Sequence, residues 1–354
     1  MIPKLSAIIL TTLSVVQGRK PYGVPLPLAH SLIAQFPKPS WIENIAVRPN
    51  GDLILTQLTV TPEITNVTLY TIPRPFSPSP SPVPVHTFDG ITNLFGIAES
   101  ATTPDLFVLV GGNIPNSSSA GLYLVWTIDF GSRHNRPPKI TQVTHLNASL
   151  PNGLTAIPHR NAVLIADSFA GLTWHVNLAT GVTSIAAQAP EMSPPLGSAP
   201  GTVGINGIKI FKGCLYWTHS ALAIIYRVRL DADGRRVQDA KVETVAKLNA
   251  TFLDDFAIRD DGIIWATTNS DNTLVAVQHE TGQSVVVDGA AGELTVLGDT
   301  AAAFGRGRDD GCVLYVVTCG GLRSKDEAAV KEGAKVVAVD TRGFEMPKQP
   351  EPSK

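Results

Sequence analysis

The chain has 354 residues, of which 44% are apolar and only 16% are charged, with 30 Gly, 27 Pro and a formal net charge of −2. Its length suits two average domains or one large all-β domain, and the Gly and Pro content favours short strands and tight turns over long helices. The small net charge gives no sign of a nucleic-acid partner or of an anionic membrane surface.

The N-terminus has the three parts of a secretory signal peptide. Lys4 supplies the charge, Leu5 to Val16 the apolar run, and Val16-Gln17-Gly18 a small-residue cleavage pattern, so residues 1–18 are predicted to be removed. An apolar run of about 12 residues is too short to span a bilayer, and we expect no membrane insertion. A secreted or vesicular protein is also consistent with four N-x-S/T glycosylation sequons, at Asn66, Asn116, Asn147 and Asn249.

The three cysteines allow one disulfide at most. Cys312 and Cys319 bracket a strand-like segment and would lie roughly 23 Å apart when extended, which is too far for a bridge. A long-range bridge to Cys214 and three buried free thiols both remain open, and no metal-type cysteine pair is present.

Six repeats organise the rest of the chain. Each has a polar residue at the start of a short apolar strand, then a turn and further strands, and the starts fall at Glu43, Asn93, Asn152, Asn206, Asp254 and Asp299. The steps between them, about 45 to 59 residues, match the blade period of β-propellers.

The sixth repeat lacks a fourth strand of its own. The segment His30 to Phe36 is a strand-like run just before the first repeat, and it would complete the sixth blade and protect its edge. We therefore predict a six-bladed β-propeller over residues 19–343, closed by an N-terminal strand, with a polar tail at 344–354. A pair of β-sandwiches is the alternative, but it does not explain six regular units.

Two inserts interrupt the repeats. Pro73 to Pro84 is rich in Pro and Ser and is predicted to be a solvated loop. Pro190 to Gly204 precedes a first strand and is predicted to cross the face that carries Asn206, as a wall or lid over an axial pocket.

First strands of propeller blades line the central axis, so equivalent polar residues at their starts converge. Glu43, Asn152, Asn206 and Asp254 would supply carboxylate and amide oxygens, which suit a hard divalent cation such as Ca²⁺. The alternative is ordinary turn chemistry, because Asn-Gly and Asp-Asp also cap strands locally. The ends of the second strands are expected to reach the same face with the pocket candidates Asp167, Ser168, His219, Asn269 and Asn272.

These segments carry a family resemblance. "WIENIAVRPNGDLILT", "LIADSFAGLTWHVNLATG", "GINGIKI" and "LDDFAIRDDGIIWAT" resemble the gluconolactonase, regucalcin and paraoxonase superfamily. Its members hold a catalytic divalent metal with a Glu, one or two Asn and an Asp around the propeller axis. The resemblance implies that Glu43, Asn152, Asn206 and Asp254 occupy those ligand positions.

The layout is more similar still to secreted fungal propellers of secondary-metabolite pathways, some of which are hetero-Diels–Alderases. These join a tropolone-derived quinone methide to a humulene-type terpene. The resemblance implies small polyketide and terpene substrates and a pericyclase that requires no cofactor, with a cation as an optional occupant of the axis.

Three function classes remain open at this level. In a pericyclase, His219 is the candidate acid for forming the heterodiene by dehydration. In a metal-dependent lactonase, the runner-up, His219 or Asp167 would activate water beside the cation. A binding propeller without activity is the third class, because a fold alone does not fix a function.

Overall fold

The computed structural model describes residues 23–59, 65–114, 122–131, 137–323 and 331–347. In these ranges the chain forms 24 β-strands and two short 3-10 turns, Pro190–Met192 and Asn269–Asp271. No helix in this part of the chain has the length and apolarity to cross a membrane. The predicted all-β class is confirmed, whereas the predicted signal segment and Asn116 lie outside the described residues.

The largest sheet has eight strands and two halves. Its strands are β2 (Trp41–Val47), β3 (Leu53–Leu58), β4 (Asn66–Ile72), β5 (Val83–Asp89), β6 (Asn93–Glu99), β7 (Leu106–Gly112), β8 (Tyr123–Asp129) and β9 (Lys139–Leu146). Only one paired position, Leu58 with Asn93, joins β3 to β6. The sheet therefore consists of two antiparallel groups, β2–β5 and β6–β9.

Three further sheets follow in chain order, each with four sequential antiparallel strands. The first has β10 (Pro151–Ala156), β11 (Ala162–Asp167), β12 (Leu172–Asn177) and β13 (Thr183–Gln188). The second has β14 (Ile205–Phe211), β15 (Cys214–His219), β16 (Ile224–Arg229) and β17 (Glu243–Lys247). The third has β18 (Phe256–Ile258), β19 (Ile263–Thr267), β20 (Leu274–Gln278) and β21 (Ser284–Asp288).

The last sheet combines the two ends of the described chain. It has β22 (Asp299–Phe304), β23 (Val313–Thr318) and β24 (Lys335–Asp340), followed at the edge by β1 (His30–Gln35). Strand β1 pairs with β24 from His30 opposite Val339 to Gln35 opposite Lys335.

The first strands of the groups pack side by side in a propeller-like ring. Strand β2 lies against β6, β6 against β10, β10 against β14, β14 against β18, β18 against β22, and β22 against β2. Six clusters of buried apolar side chains occupy the described interior between neighbouring groups. Second strands are covered on both faces, and all six residues of β11 are accordingly buried, which explains their continuous apolar runs.

Close contact between first strands explains the Asn-Gly pairs. A Cβ on Gly153 would lie 2.5 Å from the backbone oxygen of Asn206 on the next first strand, so only glycine fits there. Threonines connect the groups as well. The Thr56 hydroxyl donates to the Phe95 carbonyl at 2.8 Å, and the Thr300 hydroxyl donates to the Ile42 carbonyl at 2.7 Å.

Several smaller sequence features can be placed directly. Cys214, Cys312 and Cys319 are all free thiols, so the long-range bridge that the sequence left open is absent from the structure. The alternative of three buried thiols is also wrong, because Cys319 is buried but Cys214 is half-buried and Cys312 is exposed. Asn66, Asn147 and Asn249 are exposed. Phe344, where the polar tail was predicted to begin, is buried, and its ring centroid lies 5.1 Å from that of Trp265.

Candidate functional site

A cavity of about 370 Å³ opens where the first strands begin. It brings together the four residues for which the sequence predicted a common cation site, Glu43, Asn152, Asn206 and Asp254. Its remaining walls combine mostly apolar side chains with a few polar ones. These are Trp41, Leu58, Thr59, Asn93, Phe95, Ile114, Leu150, Val203, Phe252, Leu322 and Arg323.

Local irregularities in the strands turn the polar side chains toward this cavity. The pairing of β2 with β3 shifts register between Ile42 and Asn44, and Glu43 lies at that shift. Asn152 and Asn206 occupy the corresponding shifts in β10 and β14. A bulge re-aims the side chain of the inserted residue, so a polar residue within an apolar strand points to the axis here.

Glu43 is buried and closely bonded to a tryptophan. The Trp41 Nε1–H donates a hydrogen bond of 2.6 Å to Glu43 Oε2. Burial, reinforced by the neighbouring Asp254 carboxyl, raises the pKa of Glu43 to about 8. Burial therefore favours the neutral acid form of Glu43.

Asp254 lies just before β18 rather than in it, and two amides hold it. The Asn206 Nδ2 donates to Asp254 Oδ1 at 2.9 Å, and the Asn269 Nδ2 donates to Oδ2 at 2.7 Å. Burial raises the pKa of Asp254 to about 7, although Arg323 and both amide donors oppose the shift. Glu43 and Asp254 thus form a buried carboxyl pair in which a proton is readily retained near neutral pH.

Two amide oxygens beside Asp254 are left without a donor among the described residues. Asn206 Oδ1 and Asn269 Oδ1 are buried and have no hydrogen-bond partner there. Two carboxyls and several amide oxygens are the donor set that Ca²⁺ takes, so these residues fit a hard cation. Within the described ranges, however, no three His, Cys, Asp or Glu side chains group as a metal site.

Asp167, one of the two predicted catalytic residues, is occupied by structural bonds outside the cavity wall. Its carboxylate accepts hydrogen bonds from the backbone N–H groups of Ser149, Leu150 and Ala170 at 2.8 to 3.2 Å, and from the Trp174 indole at 3.2 Å. Asp167 therefore holds the chain segment that enters β10.

His219, the other predicted catalytic residue, is also absent from the cavity wall. Its Nε2 lies 3.0 Å from the Ser193 carbonyl, and its Nδ1 accepts the Leu222 N–H at 3.3 Å. Burial lowers the pKa of His219. With both ring nitrogens engaged, His219 anchors the insert before β14.

The other three residues predicted for the pocket, Asn269, Ser168 and Asn272, do not line the cavity. Asn269 contacts Asp254, as described above, but does not line the cavity. Ser168 is fully buried, and its hydroxyl has no partner among the described residues. Asn272 adopts a positive φ of 57° and accepts the Gly298 N–H at 2.9 Å, which shapes a turn.

The Pro190 to Gly204 insert does form part of the cavity wall. Val203 lines the cavity, and its carbonyl accepts the Ala221 N–H at 3.2 Å. The Gly204 N–H donates to the Ser168 carbonyl at 3.1 Å. Together with the His219 contact, these bonds fix the insert against the end of β15.

Two important groups were missed at the sequence level. Arg323 lines the cavity from the loop between β23 and β24, and its guanidinium carbon lies 4.2 Å from the centroid of the Phe252 ring. On the axis, Asp255 accepts hydrogen bonds from Asn44 Nδ2 at 2.9 Å and from Lys209 Nζ at 2.6 Å. The repeated Asp in "LDDFAI" was the available signal for the second group, whereas nothing in the repeat pattern marks Arg323.

No family model matches the chain, but two curated relatives do. A protein of Phoma sp., named as an inferred hetero-Diels-Alderase, is 32% identical over 317 residues, covering 82% of this chain and 87% of that protein. Another protein of that description, from Sarocladium schorii, is 30% identical over 358 residues, covering 91% of this chain and 86% of its own.

Among solved structures, the calcium-binding protein regucalcin of Agrobacterium tumefaciens superposes with a TM-score of 0.58 at 16% identity, covering 91% of this chain and 97% of that one. That likeness concerns the fold, whereas the two curated relatives match at higher identity over most of both chains. The chain therefore belongs to the family of the hetero-Diels-Alderases.

Proposed function

We propose that this chain catalyses a hetero-Diels–Alder cyclisation in the axial cavity, joining a quinone-methide heterodiene to the alkene of a terpene. The observation that carries the proposal is Glu43, a buried carboxyl bonded to Trp41 in a cavity whose other walls are largely apolar. Membership in the family supports the reaction class. The lining of the axial cavity supports that cavity as the active site.

The apolar walls of the cavity would orient the reactants for the cycloaddition, the step that needs no proton transfer. Trp41, Leu58, Phe95, Ile114 and Leu150 present rings and aliphatic groups to a bound reactant. Holding two reactants in near-attack geometry contributes about 7–11 kcal/mol to lowering a barrier. A cycloaddition forms its C–C and C–O bonds from π electrons alone, so orientation is the main requirement.

The carboxyl pair performs the dehydration that forms the heterodiene. In a hydroxyalkyl phenol or tropolone, the leaving hydroxyl takes the Glu43 proton and departs as water when its C–O bond breaks. The ring hydroxyl gives its proton to the Asp254 carboxylate, and the neutral quinone methide results. One proton has then moved from Glu43 to Asp254, and its return restores the starting state.

A metal-dependent lactonase is the second candidate, because the donor set of the cavity supports it. Glu43, Asn152, Asn206 and Asp254 would hold a divalent cation, most suitably Ca²⁺. A bound cation would neutralise the carboxylates and polarise an oxygen of a bound reactant. The two candidates differ in the charge of Glu43. A general acid must be protonated and neutral, whereas a ligand of the cation must be an ionised carboxylate.

We also propose that the eight-stranded sheet is two blades, which gives six blades closed by β1. The single paired position between β3 and β6, the ring of six first strands and the β1–β24 pairing support this count. Entry into the secretory pathway, with glycans on Asn66, Asn147 and Asn249, is supported by the signal-like N-terminus and the exposure of these residues.

The test is adduct formation by purified protein from an o-hydroxymethyl phenol or tropolone and a humulene-type alkene. We expect a dihydropyran of one enantiomer, detected by chiral chromatography with mass spectrometry. Glu43→Gln should slow adduct formation from the alcohol by about 10²–10⁴-fold, the usual contribution of a general acid, but should slow it far less when a quinone methide is generated photochemically.

The exposed Glu280→Gln is the matched control and should behave as wild type. A racemic adduct, or none, would contradict the pericyclase. Hydrolysis of simple lactones that chelation abolishes without unfolding the protein would establish the lactonase in its place.

A further inference from the structure

A second cavity adjoins the axial one. It has a volume of about 620 Å³, compared with about 370 Å³ for the axial cavity. Three residues line both cavities, namely Val203, Phe252 and Arg323. They form a partition in which the Arg323 guanidinium carbon lies 4.2 Å from the Phe252 ring centroid.

The two volumes bear on a reaction between two molecules. Pockets that enclose one drug-sized ligand measure about 300–1,000 Å³. The axial cavity is near the lower limit for a single ligand, so part of a fifteen-carbon alkene would extend beyond it when the heterodiene is bound. The adjoining cavity offers that space on the other side of the partition.

Three of the polar side chains of the second cavity, Thr202, Thr251 and Asp271, are hydrogen-bonded within the protein. The Thr251 hydroxyl and the Thr251 backbone N–H donate to the Asp271 carboxylate, at distances of 2.7 to 3.1 Å. The Thr202 hydroxyl donates to the Ala199 carbonyl at 2.7 Å. Beside these polar groups and Arg323, the cavity has apolar surface that an alkene can contact, at Pro200, Val203, Ala221 and Phe252.

We propose that the second cavity binds the alkene reactant and that the partition of Val203, Phe252 and Arg323 determines which alkenes reach the heterodiene. This inference rests on the proposed cyclisation. The heterodiene lies beside Glu43, and the alkene approaches it past the Phe252 ring. Arg323, stacked on that ring, is a positioning residue that holds the orientation of Phe252.

The test fills the second cavity without touching the first. Ala221 is exposed and lines only the second cavity, and its backbone N–H, which bonds Val203, is kept in Ala221→Trp. Leu222→Trp is the matched control, because Leu222 is the next residue, is 38% exposed and lines neither cavity. Both variants are assayed with a humulene-type alkene and with ethyl vinyl ether as a small alkene.

Ala221→Trp should raise the KM for the large alkene about tenfold or more, and leave the KM for the small alkene and for the heterodiene precursor within about twofold. Calorimetric titration with the large alkene alone should show the same loss of affinity. Leu222→Trp should change none of these values.

Equal effects on both alkenes, a raised KM for the heterodiene precursor, or no effect at all would overturn the assignment of the second cavity. Failure of the wild-type protein to form an adduct from either alkene would instead overturn the cyclisation itself. If calorimetry in that case still showed alkene binding that only Ala221→Trp impairs, the second cavity would be a hydrocarbon site of a protein with another activity. The role of the partition in cyclisation would then be rejected.

Discussion

Replacing Glu43 by Gln should stabilise the protein at alkaline pH while it impairs the chemistry. The neutral amide keeps an oxygen that accepts the Trp41 N–H and removes the ionisation that the buried site opposes. In wild type, the pKa of Glu43 rises from 4.5 in the unfolded chain to about 8 in the folded protein. The folded state therefore binds the proton more tightly.

The sign and size of the effect follow from proton linkage. Because the folded pKa is the higher one, the stability contribution is fully present below about pH 4.5 and is lost as the pH rises to about 8. At 1.36 kcal/mol per pKa unit, this difference corresponds to at most about 5 kcal/mol. Charge sharing with Asp254 lowers the gain, and we expect about 2–4 kcal/mol for Glu43→Gln above pH 8.

Urea unfolding of wild type, Glu43→Gln and the control Glu280→Gln at about pH 5 and pH 8.5 measures this directly. The free energy of unfolding of Glu43→Gln should exceed that of wild type by a small amount at pH 5 and by a large amount at pH 8.5. If Glu43→Gln were less stable than wild type at pH 8.5, and chelation removed the difference, Glu43 would be a cation ligand and the acid role would be refuted.

Three further changes test other parts of the structure. His219→Ala should speed proteolysis within residues 190–204 while His219→Gln keeps the bond to Ser193, and the kcat of both should stay within about threefold of wild type. A loss of kcat while residues 190–204 still resist proteolysis would show that His219 takes part in catalysis. Ile33 is a buried residue of β1, and Ile33→Ala should lower the free energy of unfolding in urea by about 2–4 kcal/mol. Leu32 is the exposed neighbour, and Leu32→Ala should change it very little. Gly153→Ala should lower the melting temperature by several degrees, because its Cβ meets the Asn206 backbone; an unchanged melting temperature would show that the first strands tolerate separation.

The repeats were readable from the sequence because the signals are local. Alternating strands, turn residues and a polar residue before each first strand recur at a nearly constant period, and each signal lies within a few residues. The four axial residues followed from that period. Glu43 and Asp254 could be placed near the axis in this way, but their raised pKa values could not, because these depend on burial by distant strands.

The roles of His219, Asp167 and Arg323 could not be obtained in the same way. His219 was a reasonable acid by residue type, yet its partner Ser193 lies in an irregular insert that has no periodic signal. Asp167 bonds backbone groups whose direction no sequence pattern specifies. Arg323 reaches the cavity from a loop between β23 and β24, and only the closed ring of strands brings that loop beside Phe252.

The pairing of β1 with β24 has a consequence for biosynthesis. A ribosome makes Val339 about 300 residues after its partner His30, so the sheet that unites β1 with β24 cannot form until that later segment has emerged. Until then, the backbone edge of β1 that pairs with β24 has no native partner, although Ile33 and Ala34 belong to a cluster that includes early residues such as Ile42 and Leu53. Closing so long a loop is entropically costly and slow, so the unpaired edge of β1 is the part of the nascent chain most open to pairing with another chain until β24 arrives.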